Sequence, residues 1–235
     1  MTPNSLSVTA SLVALAAFGA SGCLCPPCPA TGVAAGPAPV PAPAAGNTPP
    51  AAPVATGGRL VIWDGDDAGT GAQGWDGCDQ KPTCKVKVGV EANSGINNSN
   101  GLKFHGEGGG WIGIGWNLFG WYPQNAGVDL TPYTHLTFQI RVEAKSRADA
   151  PEPGAVGVLL GASNNSNSSD AAIEKYAKGF TDGKWHKVEI PISEFTKGAG
   201  SKFDLHSFWE LRMSTWSGTP RNFDIYVDDL AAEKH

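Results

Sequence analysis

One stretch narrows the fold more than any other. Lys184-Trp185-His186-Lys187-Val188-Glu189-Ile190-Pro191-Ile192 alternates polar and apolar residues, the period of a strand with one face in a core and the other in water. Pro191 removes an amide donor near its end, which suits an edge strand or a bend. A second segment, Phe223-Asp224-Ile225-Tyr226-Val227-Asp228-Asp229-Leu230, reads as a final strand that closes on paired carboxylates. Further short strands are expected at 60–63, 85–90, 102–105, 111–119, 136–142, 156–162, 173–180 and 208–215, punctuated by Gly, Asn and Asp. Asp182-Gly183 is a hairpin-type turn that would join 173–180 to 185–192, with a short helix over 171–178 as the lesser option. About ten short strands without a sustained helical period predict an all-β, antiparallel β-sandwich.

Composition agrees: 31 Gly and 18 Pro among 235 residues suit a turn-rich fold. The net charge of −5 and the lack of a Lys/Arg cluster exclude a nucleic-acid partner, since nothing would replace phosphate counterions. No apolar run reaches the roughly 18 residues a spanning helix needs.

The chain divides into three parts. Residues 8–20 are apolar and small, and they end in Ala20-Ser21-Gly22-Cys23. This resembles a bacterial lipoprotein signal over residues 1–22, which implies lipidation of Cys23. The Leu24 that follows implies, by the same resemblance, sorting to the outer membrane. Ala20 stands where Leu is usual, and no Lys or Arg precedes Arg59, so an ordinary secretory signal stays open as the alternative. Residues 23–57 are a Pro/Ala-rich spacer that cannot build a core. Residues 58–235 form one domain, expected to be monomeric.

Five cysteines suit export if Cys23 carries lipid and the other four pair. Cys78 and Cys84 close a short loop and are expected to form a disulfide, one that adds about 2–3 kcal/mol. Cys25 and Cys28 sit in the spacer, where a tether disulfide or pairing between chains is expected. They lack the βαβ setting of a redox pair.

The domain resembles the jelly-roll, galactose-binding-like carbohydrate-binding modules, nearest to family eleven. The likeness rests on Val61-Ile62-Trp63-Asp64-Gly65-Asp66-Asp67 before Gly74-Trp75, on Gly110-Trp111-Ile112-Gly113-Ile114-Gly115-Trp116-Asn117-Leu118, and on Asp129-Leu130-Thr131-Pro132-Tyr133-Thr134-His135-Leu136-Thr137-Phe138-Gln139-Ile140, with the two segments quoted first. The resemblance implies a structural Ca²⁺ held by Asp64, Asp66 and Asp228, with Asp67 and Asp229 as neighbours. Clustered carboxylates suit the six to eight oxygens that calcium takes; the alternative is that Asp64, Asp66 and Asp67 are turn residues.

The resemblance also implies a sugar-binding face with Trp111 as its stacking ring. Alternation sends Ile112, Ile114, Trp116 and Leu118 inward and leaves Trp111 and Asn117 outward. The same rule turns Gln139, Arg141, Glu210 and Arg212 outward. Trp121 and Tyr122, just before Pro123, are loop candidates to flank the groove, while Trp116 and Trp185 are expected to be structural.

The implied function is polysaccharide binding without cleavage, on a β-glucan or a related glycan, by a protein lipid-anchored at the outer membrane or secreted. Two alternatives remain, a sandwich-fold hydrolase or lyase and a structural or adhesive surface protein. Against catalysis, Glu210 with Glu189 or Glu143 forms no compact acid pair of the kind glycoside hydrolysis needs. Tyr226, His105 and Arg141 lack lyase spacing. The glycine run His105-Gly106-Glu107-Gly108-Gly109-Gly110 lacks the Lys and Ser/Thr of a phosphate loop.

Overall fold

Alternation along two unusually long strands organises this molecule. The computed structural model describes residues 54–64, 73–118, 127–197 and 202–235, which belong to one compact unit. Its strands are β1 (Val54–Thr56), β2 (Arg59–Trp63), β3 (Gln73–Cys78), β4 (Lys85–Glu91), β5 (Gly101–Asn117), β6 (His135–Ala144), β7 (Gly157–Ala162), β8 (Ala171–Ala172), β9 (His186–Pro191) and β10 (Phe208–Glu233). Hydrogen bonds link them in one antiparallel sheet. The central pair, β5 and β10, runs through both halves of it.

In one half, β5 and β10 are flanked by β3 and by β7 with β8. In the other they are flanked by β4 and by β6 with β9, and β2 with β1 pairs the last residues of β10. The halves meet where Gly218–Pro220 bulges out opposite Gly109 alone, between the pairs Ser217↔Gly110 and Arg221↔Gly108. Proline and glycine lie where the ladder is interrupted, the place such residues are tolerated.

Alternate residues of the longer strands build the core. Leu102, Phe104, Ile112, Ile114 and Trp116 of β5 join Leu136, Phe138, Ile140 and Val142 of β6, together with Val158 and Leu160 of β7. Leu211, Met213, Phe223, Ile225 and Val227 of β10 complete one hydrophobic cluster common to both halves. The inward parity of β10 then changes: Leu230 and Ala232 are buried instead. Asp229 causes this, because Asp229 and Leu230 oppose Phe138 alone, a bulge with Asp229 at φ +55°. This is an antiparallel jelly-roll sandwich: the alternation predicted the sandwich and the family resemblance the jelly roll.

Several expectations on elements change. The strands expected at 102–105 and 111–119 are one strand, β5, and those at 208–215 and 223–230 are one strand, β10. Glycine at 108–110 reads as a breaker in sequence, yet the pairing of Gly108 and Gly110 with β10 carries the chain through. The expected hairpin at Asp182-Gly183 does not form: Ile173–Lys175 is a 3₁₀ turn packed on the core through Ile173, and only β9 is a strand there. Gly183 nevertheless has φ +83°. Pro191 does end an edge strand, followed by the single-turn helix α1 (Ile192–Phe195). The spacer assigned through residue 57 overlaps β1, which pairs with β2 across Gly57-Gly58, both at positive φ.

Candidate carbohydrate-binding face

On the outer side of the half-sheet β3–β5–β10–β7, register places named residues in rungs. One rung is Asn117–Glu210–Gly161, the next Trp75–Gly115–Arg212–Leu159, and the next Gly77–Gly113–Ser214–Gly157. Beyond them Trp111 stands opposite Trp216. These two are the exposed large apolar side chains among the described residues, at 38% and 58%.

Glycine is the floor on which the rings lie. A Cβ added to Gly113 would come within 2.3 Å of the Trp111 ring, and one on Gly115 within 2.0 Å of Trp75 Nε1. A Cβ on Gly77 would touch the outer edges of both rings, at 3.4 Å for Trp111 and 3.8 Å for Trp75. Trp111 and Trp75 therefore meet over Gly77 as a continuous platform. Its polar end is Glu210, only 1% exposed, which accepts from Trp75 Nε1 through one oxygen and from Arg212 Nε through the other. The Arg212 guanidinium lies 5.7 Å from the centre of the Trp75 ring. A buried carboxylate held from both sides in this way fixes the plane of the indole. Rings lying flat beside a charged, hydrogen-bonding pair can accept the C–H face of a sugar while pairing its hydroxyls.

A second concavity, of about 490 Å³, is lined by Asp64, Asn97, Asn98, Ser99, Asp228 and Asp229. Asp228 is buried, and its Oδ2 accepts from the Ile96 amide and the Ser99 hydroxyl, each at 2.7 Å. Its Oδ1 accepts from the Asp229 amide at 2.7 Å. Burial nevertheless holds the Asp228 carboxyl above its ordinary pKa, so its charge is incompletely compensated. Gly95 makes room for it, since an added Cβ would lie 2.5 Å from Asp228 Oδ2. Oxygen donors around a desolvated carboxylate fit a hard cation such as Ca²⁺. Asp229 does not add to that charge, because Arg59 pairs with it at 2.5 Å. A third acidic group, Glu189, Glu233 and His235, is neutralised by Lys187 and Arg59.

Comparison with known proteins follows this geometry. The family profile described as "Carbohydrate binding domain 30" matches residues 60–234. The chain belongs to this family. Carbohydrate binding is thus the function of the domain, and the family is a non-catalytic one. The chain is similar to the family 30 carbohydrate-binding module of a cellulosomal cellulase of Clostridium thermocellum, at 19% identity and a TM-score of 0.54, covering 75% of this chain and 98% of that one. It is also similar to a β-1,2-glucanase from Parabacteroides distasonis, at 15% identity and a TM-score of 0.51, covering 74% of this chain but 24% of the glucanase. The family 11 module of a second C. thermocellum cellulase has a TM-score of 0.49 and 14% identity, covering 77% and 97%. No curated protein matches.

Within this family 30 domain the sequence-derived site residues divide. Trp111, Asn117, Glu210 and Arg212 fall on the platform face. Asn117, expected in solvent, is 0% exposed, and its amide atoms have no hydrogen-bond partner among the described residues. Gln139 and Arg141 lie elsewhere. Arg141 pairs in register with Tyr226, which faces Lys103, eight residues and roughly 27 Å along β5 from Trp111. Its guanidinium is held between the rings of Tyr226 and Trp185, at 4.5 and 4.9 Å, and its Nη2 donates to the Ser94 carbonyl. Alternation told which side of the strand these residues take but not which half of the sheet. Trp121, Tyr122, Asp66, Asp67, Cys23, Cys25 and Cys28 lie outside the described residues.

Trp75 and Trp216 were not assigned from sequence. Gly-rich 73–78 gave no strand signal, and the pairing of Trp216 with Trp111 is a matter of register. The expected disulfide is present between Cys78 and Cys84.

Proposed function

We propose that the Trp111–Trp75 platform binds a β-glucan chain along β3 and β5, with Arg212 pairing its hydroxyls, the buried Glu210 holding Trp75 and Arg212 in place, and Trp216 extending the stacking surface. The observation that carries this reading is the glycine floor: Gly77, Gly113 and Gly115 let two indoles lie flat and contiguous. The attachment of a similar family 30 module to a cellulase supports a β-linked glucose polymer as ligand. The test is retention on a panel of immobilised glucans, with release of reducing ends followed in parallel. Trp111→Ala should weaken binding by about 2 kcal/mol, a factor of roughly 30, and no glucan should be cleaved. Unchanged retention would reject the platform, and reducing ends would reject the non-catalytic reading.

The proposal extends to a structural Ca²⁺ held by Asp64 and Asp228. Asp66, the remaining ligand inferred from sequence, lies outside the described residues. The ion would tie the end of β2 to the β10 bulge. We further propose that Cys23 carries lipid and that the Pro/Ala-rich segment spaces the module from the outer membrane. Incorporation of labelled fatty acid that is abolished by Cys23→Ala is the measurement that decides this; equal labelling of both forms would sink it.

A further inference from the structure

The glycine run that is no phosphate loop has another use. On the edge of β5 that faces β3 and β4, β4 pairs with residues 101–107 and β3 with residues 112–117, leaving Gly108–Trp111 without a ladder partner there. The connection between β3 and β4, closed by Cys78–Cys84, fills this gap. Asp79 meets the Trp111 backbone with two hydrogen bonds, one from its side chain and one from its own backbone. The Asp79 carboxylate accepts from the Trp111 amide at 3.1 Å, and the Asp79 amide donates to the Trp111 carbonyl at 3.2 Å. Two glycines admit this clasp. A Cβ on Gly110, whose φ is +73°, would lie 2.2 Å from Asp79 Oδ1, and one on Gly108, at φ +133°, would lie 2.7 Å from Cys84 Cβ.

We propose that Asp79 is a positioning residue for the Trp111 ring, and that the Cys78–Cys84 disulfide holds Asp79 in place. This rests on the reading of Trp111 as a stacking ring. The ring is partly exposed and lies on glycine, so side-chain packing alone fixes it weakly, and its direction follows from the backbone that carries it. The backbone of Trp111 is held on one side by β10 through Trp216 and on the other by Asp79. Without the disulfide, the end of β3 and the start of β4 are released together, and Asp79 with them. An Asn at position 79 keeps the accepting oxygen and an Ala does not.

The experiment compares Asp79→Ala, Asp79→Asn, the double variant Cys78→Ala/Cys84→Ala and Trp111→Ala in binding soluble mixed-linkage β-1,3-1,4-glucan. Each is also followed by near-UV circular dichroism in the tryptophan band. Asp79→Ala and the cysteine variant should each raise Kd about tenfold, the order expected for one lost hydrogen bond, with an altered tryptophan band. Asp79→Asn should keep wild-type affinity and spectrum. If Asp79→Ala binds as wild type while Trp111→Ala fails, the positioning role falls and the platform stands. If Asn weakens binding as much as Ala, the carboxylate acts through its charge, and the positioning role falls as well. If Trp111→Ala binds normally, the platform falls and takes this proposal with it. Asp79→Ala leaves the disulfide intact, so the test survives a cysteine variant that fails to fold.

Discussion

A methyl group decides the shape of the binding face. Gly115→Ala would put Cβ 2.0 Å from Trp75 Nε1 and 2.2 Å from Glu210 Oε1, distances no flexible tip relieves, because the indole and the carboxylate hold each other. The ring must lift, so glucan affinity should fall about tenfold, with a cost of about 1–3 kcal/mol in stability. Titration calorimetry and urea unfolding check both, and an unaffected Kd would show that Trp75 is not in the platform. Glu210→Ala is harsher, since it strands the Trp75 donor and the Arg212 charge together. It should destabilise by roughly 3 kcal/mol, mainly through the unpaired cation. At the second concavity, Ca²⁺ should raise the melting temperature and a chelator should lower it, with the response lost in Asp64→Ala. A chelator-insensitive wild type would remove the metal.

Among elements, the end of β10 ties three others together. Glu233 accepts from Thr137 of β6 and pairs with Arg59 of β2 and Lys187 of β9. Burial works to raise its pKa, but the Thr137 hydroxyl, Lys187 and Arg59 outweigh it and hold the carboxyl below its ordinary value. A carboxylate depressed in the folded state contributes stability above its unfolded pKa and loses it as pH falls through the folded one. Glu233→Gln should therefore be less stable than wild type at pH 7, by about 1 kcal/mol for so partly screened a site. The gap should close as the pH drops below the ordinary glutamate value of 4.5. Urea midpoints measured across that range test it, and a gap independent of pH would assign the effect to packing instead. The two elements mistaken in sequence belong to this scale too. Glycine and proline interrupt β5 and β10 only in one-dimensional reading, because the two strands pair with each other on both sides of the interruption and resume one ladder.

For the whole molecule, one hydrophobic cluster serves both halves of the sheet, so the halves should unfold together. Residues 54–235 alone should fold in a single transition and bind glucan with the affinity of the longer chain, as scanning calorimetry and calorimetric titration would show. Two transitions would mean that the halves unfold separately, and lost affinity that residues before β1 take part in binding. A glucan carries no charge, so the net charge of −5 does not steer it, and its binding should be nearly insensitive to salt.

Sequence by itself determined the class of fold and the inward row of each strand, because burial on one face of a pleat imposes a period of two that composition cannot imitate. It also determined the Cys78–Cys84 pair, since the loop between them is so short, and the outward face of Trp111, Glu210 and Arg212. Tertiary structure decided which outward residues are neighbours. Register set Trp216 against Trp111 and Trp75 beside Glu210, and it carried Arg141 off to the other half of the sheet. That information lies in hydrogen bonds between residues scores of positions apart, and no local pattern encodes them.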